Sequence, residues 1–205
     1  MALLRILAAT FLSSGILLGD GYFDKGTGIT FPDKLEEYRL MAGPDEVSPI
    51  EKFDDPRLGY SIAYSSPDSE VTIYAFNGGA ENIKDGTSGR WVKHFFKQAE
   101  DEVKHYEKEG YYSGIRSSEA GDGFASLCPK FFLGRKLAYT IVVEEPHQKV
   151  KSYIFCCGIK GQVFKVRATG LLDSDFEGSL AKILTNFSKQ MAEQAVPPKS
   201  DRAGG

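Results

Sequence analysis

Two neighbouring stretches decide the fold of this chain: residues 136–144 read KLAYTIVVE and residues 150–159 read VKSYIFCCGI. Successive side chains of a β-strand point to opposite faces of the sheet, and in both stretches the two alternating sets are largely apolar. A strand with two apolar faces is covered on both sides. The two stretches therefore predict central strands, with a further layer of structure on each face of the sheet.

Shorter segments with the same period of two lie on both sides of this pair. The segments 59–65 and 70–76 are separated by a Pro-Asp-Ser turn and predict a β-hairpin. After Gly110, the segments 111–117, 123–133 and 162–169 also alternate with a period of two, and together with the two central stretches they make five strands. These five strands in succession, joined by short turns, predict an antiparallel meander.

Two amphipathic helices supply the missing layers. The first is expected to be capped by Ser88 and to end near Glu109, before Gly110. The second is expected to open with a capping box of Ser174 and Glu177. The apolar stripes are Val92, Phe95, Phe96, Ala99, Val103 and Tyr106 in the first helix, and Phe176, Leu180, Ile183, Leu184, Phe187 and Met191 in the second.

The expected fold class is therefore α+β, with an antiparallel sheet of six to seven strands sandwiched between helices. Residues 57–195 form this single domain, which is large enough to bury a core. Residues 20–56, rich in Gly, Pro and Asp, predict an extended leader packed on the domain. Residues 196–205 have nothing apolar to bury and predict a disordered tail.

The N-terminal residues 1–19 have the pattern of an export signal. One positive side chain, Arg5, precedes the apolar run Ile6–Leu18, which is shorter than the about 20 residues of a membrane-spanning helix. We therefore expect a periplasmic or secreted protein. An uncleaved membrane tether and a buried N-terminal segment remain as alternatives.

Composition narrows the choice of partner. The chain has a formal net charge of -3, and its lysines are scattered among carboxylates rather than gathered in a stripe. Such a surface is repelled by phosphate backbones, so nucleic acid is excluded as an expected partner.

The three cysteines are Cys128, Cys156 and Cys157. Because adjacent strand residues face opposite ways, only one of Cys156 and Cys157 can easily form a disulfide with Cys128. The alternative is three buried thiols that act as small apolar side chains. Their spacing does not match a zinc site.

Two groups of polar residues invite a catalytic or metal-binding interpretation. His94, Gln98, Asp101 and His105 share one stripe of the first helix, but His94 and His105 are roughly 16 Å apart along the axis, too far to share an ion. A solvated helix face is the favoured interpretation. The sequence Glu-Glu-Pro-His at 144–147 is interpreted as a hairpin tip.

Four aromatic residues form adjacent pairs: Tyr111 with Tyr112, and Phe131 with Phe132. If one member of each pair faces outward, the set forms a contact patch. The alternative is that they complete the core beneath the helices.

A resemblance supports this fold. The stretch from Tyr139 to Phe187, with its strands 151–155 and 161–169 and the following helix, resembles the closing half of the sandwich shared by photosystem II extrinsic subunits and a Ran-binding nuclear import factor. Together with Gly59–Phe76, it is also similar to exported bacterial proteins of no assigned activity. The resemblance implies a PsbP-like α/β/α sandwich with a binding or accessory role, and it transfers no catalytic motif.

The sequence thus predicts an exported, non-catalytic binding or accessory module for a protein or small molecule. It indicates no cofactor, metal or catalytic residue. One alternative is a hydrolase whose site assembles only in three dimensions. Another is a domain attached to the inner membrane through the uncleaved N-terminus, which is its only expected membrane contact.

Overall fold

The computed structural model describes residues 21–41, 49–119, 133–142 and 147–194. Its strands are β1 (Tyr22–Asp24), β2 (Ile29–Phe31), β3 (Lys34–Leu35), β4 (Tyr38–Leu40), β5 (Ile50–Lys52), β6 (Tyr60–Ser65), β7 (Ser69–Phe76), β8 (Tyr112–Glu119), β9 (Leu133–Ile141), β10 (Gln148–Ile159) and β11 (Gln162–Leu171). Its helices are α1 (Arg90–Lys108) and α2 (Glu177–Gln194). The predicted α+β class is confirmed.

The main sheet has nine strands, and all its pairs are antiparallel. Eight of them follow the order β3-β4-β6-β7-β11-β10-β9-β8, and β5 pairs with the part of β6 that β4 leaves unpaired. The expected size of six to seven strands was wrong. The additional strands are β3, β4 and β5, which are two or three residues long and come from the segment expected to be a leader.

The two stretches that predicted central strands form β9 and β10. β10 pairs with β9 on one side and with β11 on the other. From Val150 to Ile159 every residue of β10 is buried. Burial on both faces of this strand is therefore confirmed.

Helix α2 covers one face of the sheet, which we call the α2 face. Its buried residues pack with Tyr153 and Phe155 of β10 and with Phe164 and Val166 of β11. The predicted stripe residues that pack here are Phe176, Leu180, Ile183, Leu184 and Phe187. The side chain of Met191 lies outside the described residues.

Helix α1 packs on the opposite face, the α1 face. Its residues Ala99 and Val103 belong to one apolar cluster with Ile154 of β10, and Val92 belongs to another with Cys156. The helix ends before Gly110, whose φ of 81° suits glycine. The two helices thus lie on opposite faces of the central strands.

Both predicted helix caps were wrong. Gly89, not Ser88, occupies the N-cap position of α1, and no side chain caps that end. Ser174 donates to the Leu171 carbonyl at 2.7 Å. The Glu177 side chain accepts from Lys151 and Tyr153 instead of completing a capping box.

The segment before β6 is tied to the domain by local hydrogen bonds. The β1–β2 hairpin forms a separate two-stranded sheet, and its Asp24 carboxylate accepts from Gly26 N, Thr27 and the Tyr60 hydroxyl. Phe31 packs against Phe187 of α2. The predicted export signal (1–19) and tail (196–205) lie outside the described residues, and neither described helix is long and apolar enough to cross a membrane.

Candidate ligand-binding site

The two faces of the β6–β7 hairpin differ in exposure. Its side chains on the α2 face are buried in the core: Ile62, Tyr64, Val71, Ile73 and Ala75. Its side chains on the α1 face are mostly polar and, apart from the buried Ser61, partly exposed: Ser61, Ala63, Ser65, Glu70, Thr72, Tyr74 and Phe76. One face of this hairpin is therefore sealed, while the other is accessible to solvent.

β11 continues this accessible surface with two cationic residues. Lys165 lies opposite Tyr74 of β7, and Arg167 lies opposite Thr72; both are partly exposed. We call the set Glu70, Thr72, Tyr74, Lys165 and Arg167 the polar platform. Because β7 and β11 are paired strands inside the sheet, the backbone under the platform is held rigidly.

The Arg167 side chain extends across β10 to two tyrosines. Its Nη2 donates to the hydroxyl of Tyr139 at 2.9 Å and to the hydroxyl of Tyr112 at 3.2 Å. The two tyrosine rings pack together, with their centroids 4.4 Å apart. Within the described part of the chain, Arg167 has no carboxylate at ion-pair distance.

The charge state of this cluster follows from burial and hydrogen bonding. Burial opposes the charge of Arg167, but the hydroxyls of Tyr139 and Tyr112 outweigh it and raise its pKa. Burial also raises the pKa of Tyr112. Arg167 therefore stays charged, and its described hydrogen-bond partners are two tyrosine hydroxyls rather than a carboxylate, an uncommon arrangement because buried charges are usually paired.

Further hydroxyls lie beside Arg167. Thr169 lies two residues after Arg167 in β11, and Ser152 lies opposite Thr169 on β10. The hydroxyls of Ser152 and Thr169 are 2.8 Å apart, and both residues are buried. Thr72 donates to the Glu70 carboxylate at 2.9 Å. Arg167 thus has hydroxyl groups near it on β7, β10 and β11, beside the apolar Ile154 that lies opposite it on β10.

Lys165 forms the second positive point of the platform. Its Nζ lies 4.5 Å from the centroid of the Tyr74 ring and 3.8 Å from a carboxylate oxygen of Glu102 on α1. The cation–π contact and the loose ion pair hold this ammonium against the sheet. Glu70 and Glu102 balance the two cations, so the surface has both signs of charge.

A second polar cluster, on the α2 face, is better explained as structural. Lys151 Nζ lies 2.8 Å from Glu177 Oε2, and the Tyr153 hydroxyl donates to Glu177 Oε1 at 2.7 Å. Burial acts to raise the pKa of Glu177, but these hydrogen bonds outweigh it and lower the pKa. The charges of this cluster are satisfied internally, so it fixes the start of α2 to β10.

Two surface depressions lie in the described part of the chain. One, of about 340 Å³, lies at the start of α1 and is lined by Lys84, Arg90 and Trp91 among others. The other, of about 520 Å³, is open and lies beside His147 and the exposed Leu171 and Leu172. Neither contains residues of the polar platform.

The structure separates the predicted aromatic patch. Tyr111 is 37 % exposed, whereas Tyr112 is 5 % exposed and packs in the core with Tyr139. Phe131 and Phe132 lie outside the described residues. The contact patch of four aromatics therefore stays a prediction, and its member Tyr112 serves the Arg167 cluster instead.

The predicted disulfide also stays a prediction, because Cys128 lies outside the described residues. Cys156 and Cys157 are both buried, on opposite faces of β10. Burial raises the pKa of Cys156 to about 12. A thiol in this state is a poor nucleophile at neutral pH.

The histidine stripe of α1 lies in solvent. His94, Gln98, Asp101 and His105 are all exposed, and Asp101 forms an ion pair with Lys97. In the ranges that the structure covers, no three His, Cys, Asp or Glu side chains are placed to hold a metal ion. Of the stretch 144–147, only His147 is described, and it is exposed.

Comparison with known proteins gives no assignment. No protein-family model matches the chain, and no curated protein is significantly similar to it.

The functional candidates that sequence reasoning missed are Lys165 and Arg167. Both belong to the predicted strand 162–169, where Val163, Lys165, Arg167 and Thr169 alternate with apolar residues. Charged residues on one face of a strand next to the most buried strand are the signal that could have found them.

Proposed function

We propose that this protein is an exported, non-catalytic binding or accessory module, and that it binds its ligand on the polar platform. The observation that carries the proposal is Arg167: a partly exposed cation on a rigid inner strand whose side-chain hydrogen bonds, within the described residues, go to the hydroxyls of Tyr112 and Tyr139. An arginine in such a place is suited to recognition, because its planar group has donors in a fixed geometry.

Export and architecture form part of the same proposal. Export rests on the apolar run Ile6–Leu18 after Arg5. The proposed architecture is a PsbP-like α/β/α sandwich, and the packing of α1 and α2 on opposite faces of β10 supports it. The nine-stranded sheet is larger than the resemblance implies.

The proposed partner is a small molecule or a protein rather than a nucleic acid. The formal net charge of -3 disfavours a polyphosphate backbone. The platform itself carries Lys165 and Arg167 close to Glu70, a mixed pattern that suits a partner with a localised charge.

The change Thr72→Trp tests the platform by filling its centre. We expect this variant to lose the partner that the unmodified protein captures from the exported fraction of its cells, because an indole there covers Arg167. Thr140→Trp is the matched control, since Thr140 is a partly buried threonine of the inner strand β9 on the α2 face. Mass spectrometry of the captured material is the measurement.

Two results would contradict the proposed function. One is capture that is equal for wild type and Thr72→Trp, which would place binding elsewhere. The other is turnover of an esterase or phosphatase substrate panel by the purified chain, which would favour the hydrolase alternative.

A further inference from the structure

We propose that the α2 face of strands β8, β9 and β10 binds an acidic segment of a partner protein. The surface consists of Arg116, Lys136, Lys149 and Lys151, which we call the basic shelf. It lies on the opposite side of the sheet from the polar platform, so this inference goes beyond the proposed function. The observation that motivates it is a cluster of four cations, distant in sequence, on a chain with a formal net charge of -3.

The strand register places these cations on one face. Arg116 of β8 and Lys151 of β10 both lie opposite Ala138 of β9. Lys136 is two residues before Ala138, and Lys149 is two residues before Lys151, so all four side chains point to the same side of the sheet. Neighbouring strands are about 4.8 Å apart, and residues i and i+2 of a strand are about 6.8 Å apart, so the shelf measures about 10 by 14 Å between Cα atoms.

Helix α2 leaves this part of its own face uncovered. Lys136 lies opposite Tyr153, which packs with the buried residues of α2, so the shelf begins where the contact of the helix with β10 ends. The next residues of β9 on this face, Ala138 and Thr140, are partly exposed. Their short side chains leave room between the cations for a chain to lie on the sheet.

One carboxylate lies at the foot of α2 beside the shelf. Glu177 accepts from Lys151, with Nζ and Oε2 2.8 Å apart, and its Oε1 lies 4.0 Å from Lys136 Nζ. Arg116 is exposed, and in the part of the chain that the structure describes it has no carboxylate at ion-pair distance. One anion therefore offsets only part of the charge of these three cations.

The charge differs along the shelf. At one end, Lys149 is exposed and lines a depression together with Asp68 and Asp173, which belong to the loops at the end of the sheet. These two carboxylates reduce the local charge around Lys149. The excess positive charge is therefore centred on Arg116 and Lys136, on the two outer strands β8 and β9.

The shape of the shelf favours a protein segment over a membrane. A helix layer rises about 10 Å above the sheet on which it packs, so a flat lipid surface would meet α2 before it reached the shelf. A single chain can instead lie beside the helix. In an extended chain the side chains on one side repeat every about 6.8 Å, which equals the spacing of the rows of the shelf. Carboxylates at alternate positions would therefore meet complementary charge.

The simpler interpretation is that Arg116 and Lys136 only keep the edge of the sheet soluble. Charged side chains on outer strands prevent pairing with other chains. If this is their whole role, their removal will promote aggregation, but acidic peptides will bind no better here than at other exposed lysines. The two interpretations thus predict different results with the same variants.

The test is a titration of a fluorescently labelled peptide of eight glutamates with the full chain, followed by fluorescence anisotropy at low ionic strength. We expect saturable binding that weakens as sodium chloride is added. The double change Arg116→Gln with Lys136→Gln is expected to weaken binding about tenfold, because two largely exposed ion pairs with the peptide are lost. Arg116→Gln alone is expected to weaken it about threefold, which keeps the test valid if the double variant does not fold.

Lys93→Gln with Lys108→Gln is the matched control. Both lysines are exposed on α1, and the double change removes the same net charge from the opposite side of the sheet. This variant is expected to bind the peptide as the wild type does. Circular dichroism checks that each variant has kept its fold.

Three outcomes would overturn the inference. The first is anisotropy that does not saturate with the wild type. The second is equal weakening in the two double variants, which would mean that only the net charge matters. The third is tighter binding to vesicles of anionic lipid, or to single-stranded DNA of eight nucleotides, than to the glutamate peptide, which would replace the partner class.

The shelf and the platform can be tested separately. Thr140 lies opposite Lys149 on the shelf, so Thr140→Trp is expected to weaken binding of the glutamate peptide, whereas Thr72→Trp on the other face is expected to leave it unchanged. Peptide binding that is lost in Thr72→Trp and kept in Thr140→Trp would place the acidic segment on the platform and contradict the shelf.

Discussion

Replacing Leu184 by alanine is expected to lower the free energy of unfolding by about 3 kcal/mol, within the range for large-to-small changes in a packed core. Leu184 is fully buried in the cluster that joins α2 to β10 and β11. The change removes apolar contacts and leaves a cavity where α2 covers the sheet. Urea unfolding followed by circular dichroism measures it.

Lys189→Ala on the same helix is the control, since Lys189 is exposed. Its effect is expected to stay within about 0.5 kcal/mol, as for ordinary surface changes. An effect of Leu184→Ala as small as that of the control would mean that α2 does not seal this face.

Glu177→Gln is expected to cost about 2 kcal/mol at neutral pH. It leaves the Lys151 ammonium, only 11 % exposed, without its anion, and breaking a fully buried pair costs about 3–5 kcal/mol. The lower figure allows for the 24 % exposure of Glu177. The double change Lys151→Met with Glu177→Gln is expected to recover most of the loss, because it removes the uncompensated charge.

The same pair gives a prediction for pH. The folded state lowers the pKa of Glu177, so the pair contributes stability above the unfolded pKa of about 4.3. That contribution disappears as the pH falls through the lower, folded pKa. Wild type and Glu177→Gln should therefore differ in urea unfolding at pH 7 and converge in strong acid. A difference that stays constant from pH 7 to pH 3 would contradict this role for the carboxylate.

The sequence predicted the layered core because that core has strong periodicity. β10 is apolar in both alternating sets, and the stripes of α1 and α2 recur at helical spacing. Such patterns reflect burial directly, so the strands and helices they predict lie where expected. The hairpin of β6 and β7 was also predicted correctly.

The sequence could not predict the size of the sheet. β3, β4 and β5 contain two or three residues each, too few for a period of two to be visible. They are recruited by tertiary pairing: β4 and β5 pair with β6, and β3 pairs with β4. The capping box predicted for α2 failed for a similar reason, since Glu177 forms long-range bonds to Lys151 and Tyr153 that outweigh a local capping box.

The candidate site could be predicted from the sequence only in part. Alternation in β11 places Lys165 and Arg167 on one face, which sequence reasoning can detect. The partners of Arg167 are Tyr112 and Tyr139, which are 55 and 28 residues away in the chain. Only the sheet order brings them together, so no local motif indicates the site.

The most direct test of the account is cysteine labelling of the two faces of the β6–β7 hairpin. Ala63→Cys places a thiol on the partly exposed α1 face, and Ala75→Cys places one on the α2 face, where Ala75 is 1 % exposed. Both variants are compared with the parent chain by mass after maleimide treatment without denaturant. The account predicts one additional label on Ala63→Cys and none on Ala75→Cys until the protein is unfolded. Protection of Ala63→Cys, or equal labelling of both variants, would contradict an open platform above a sealed core.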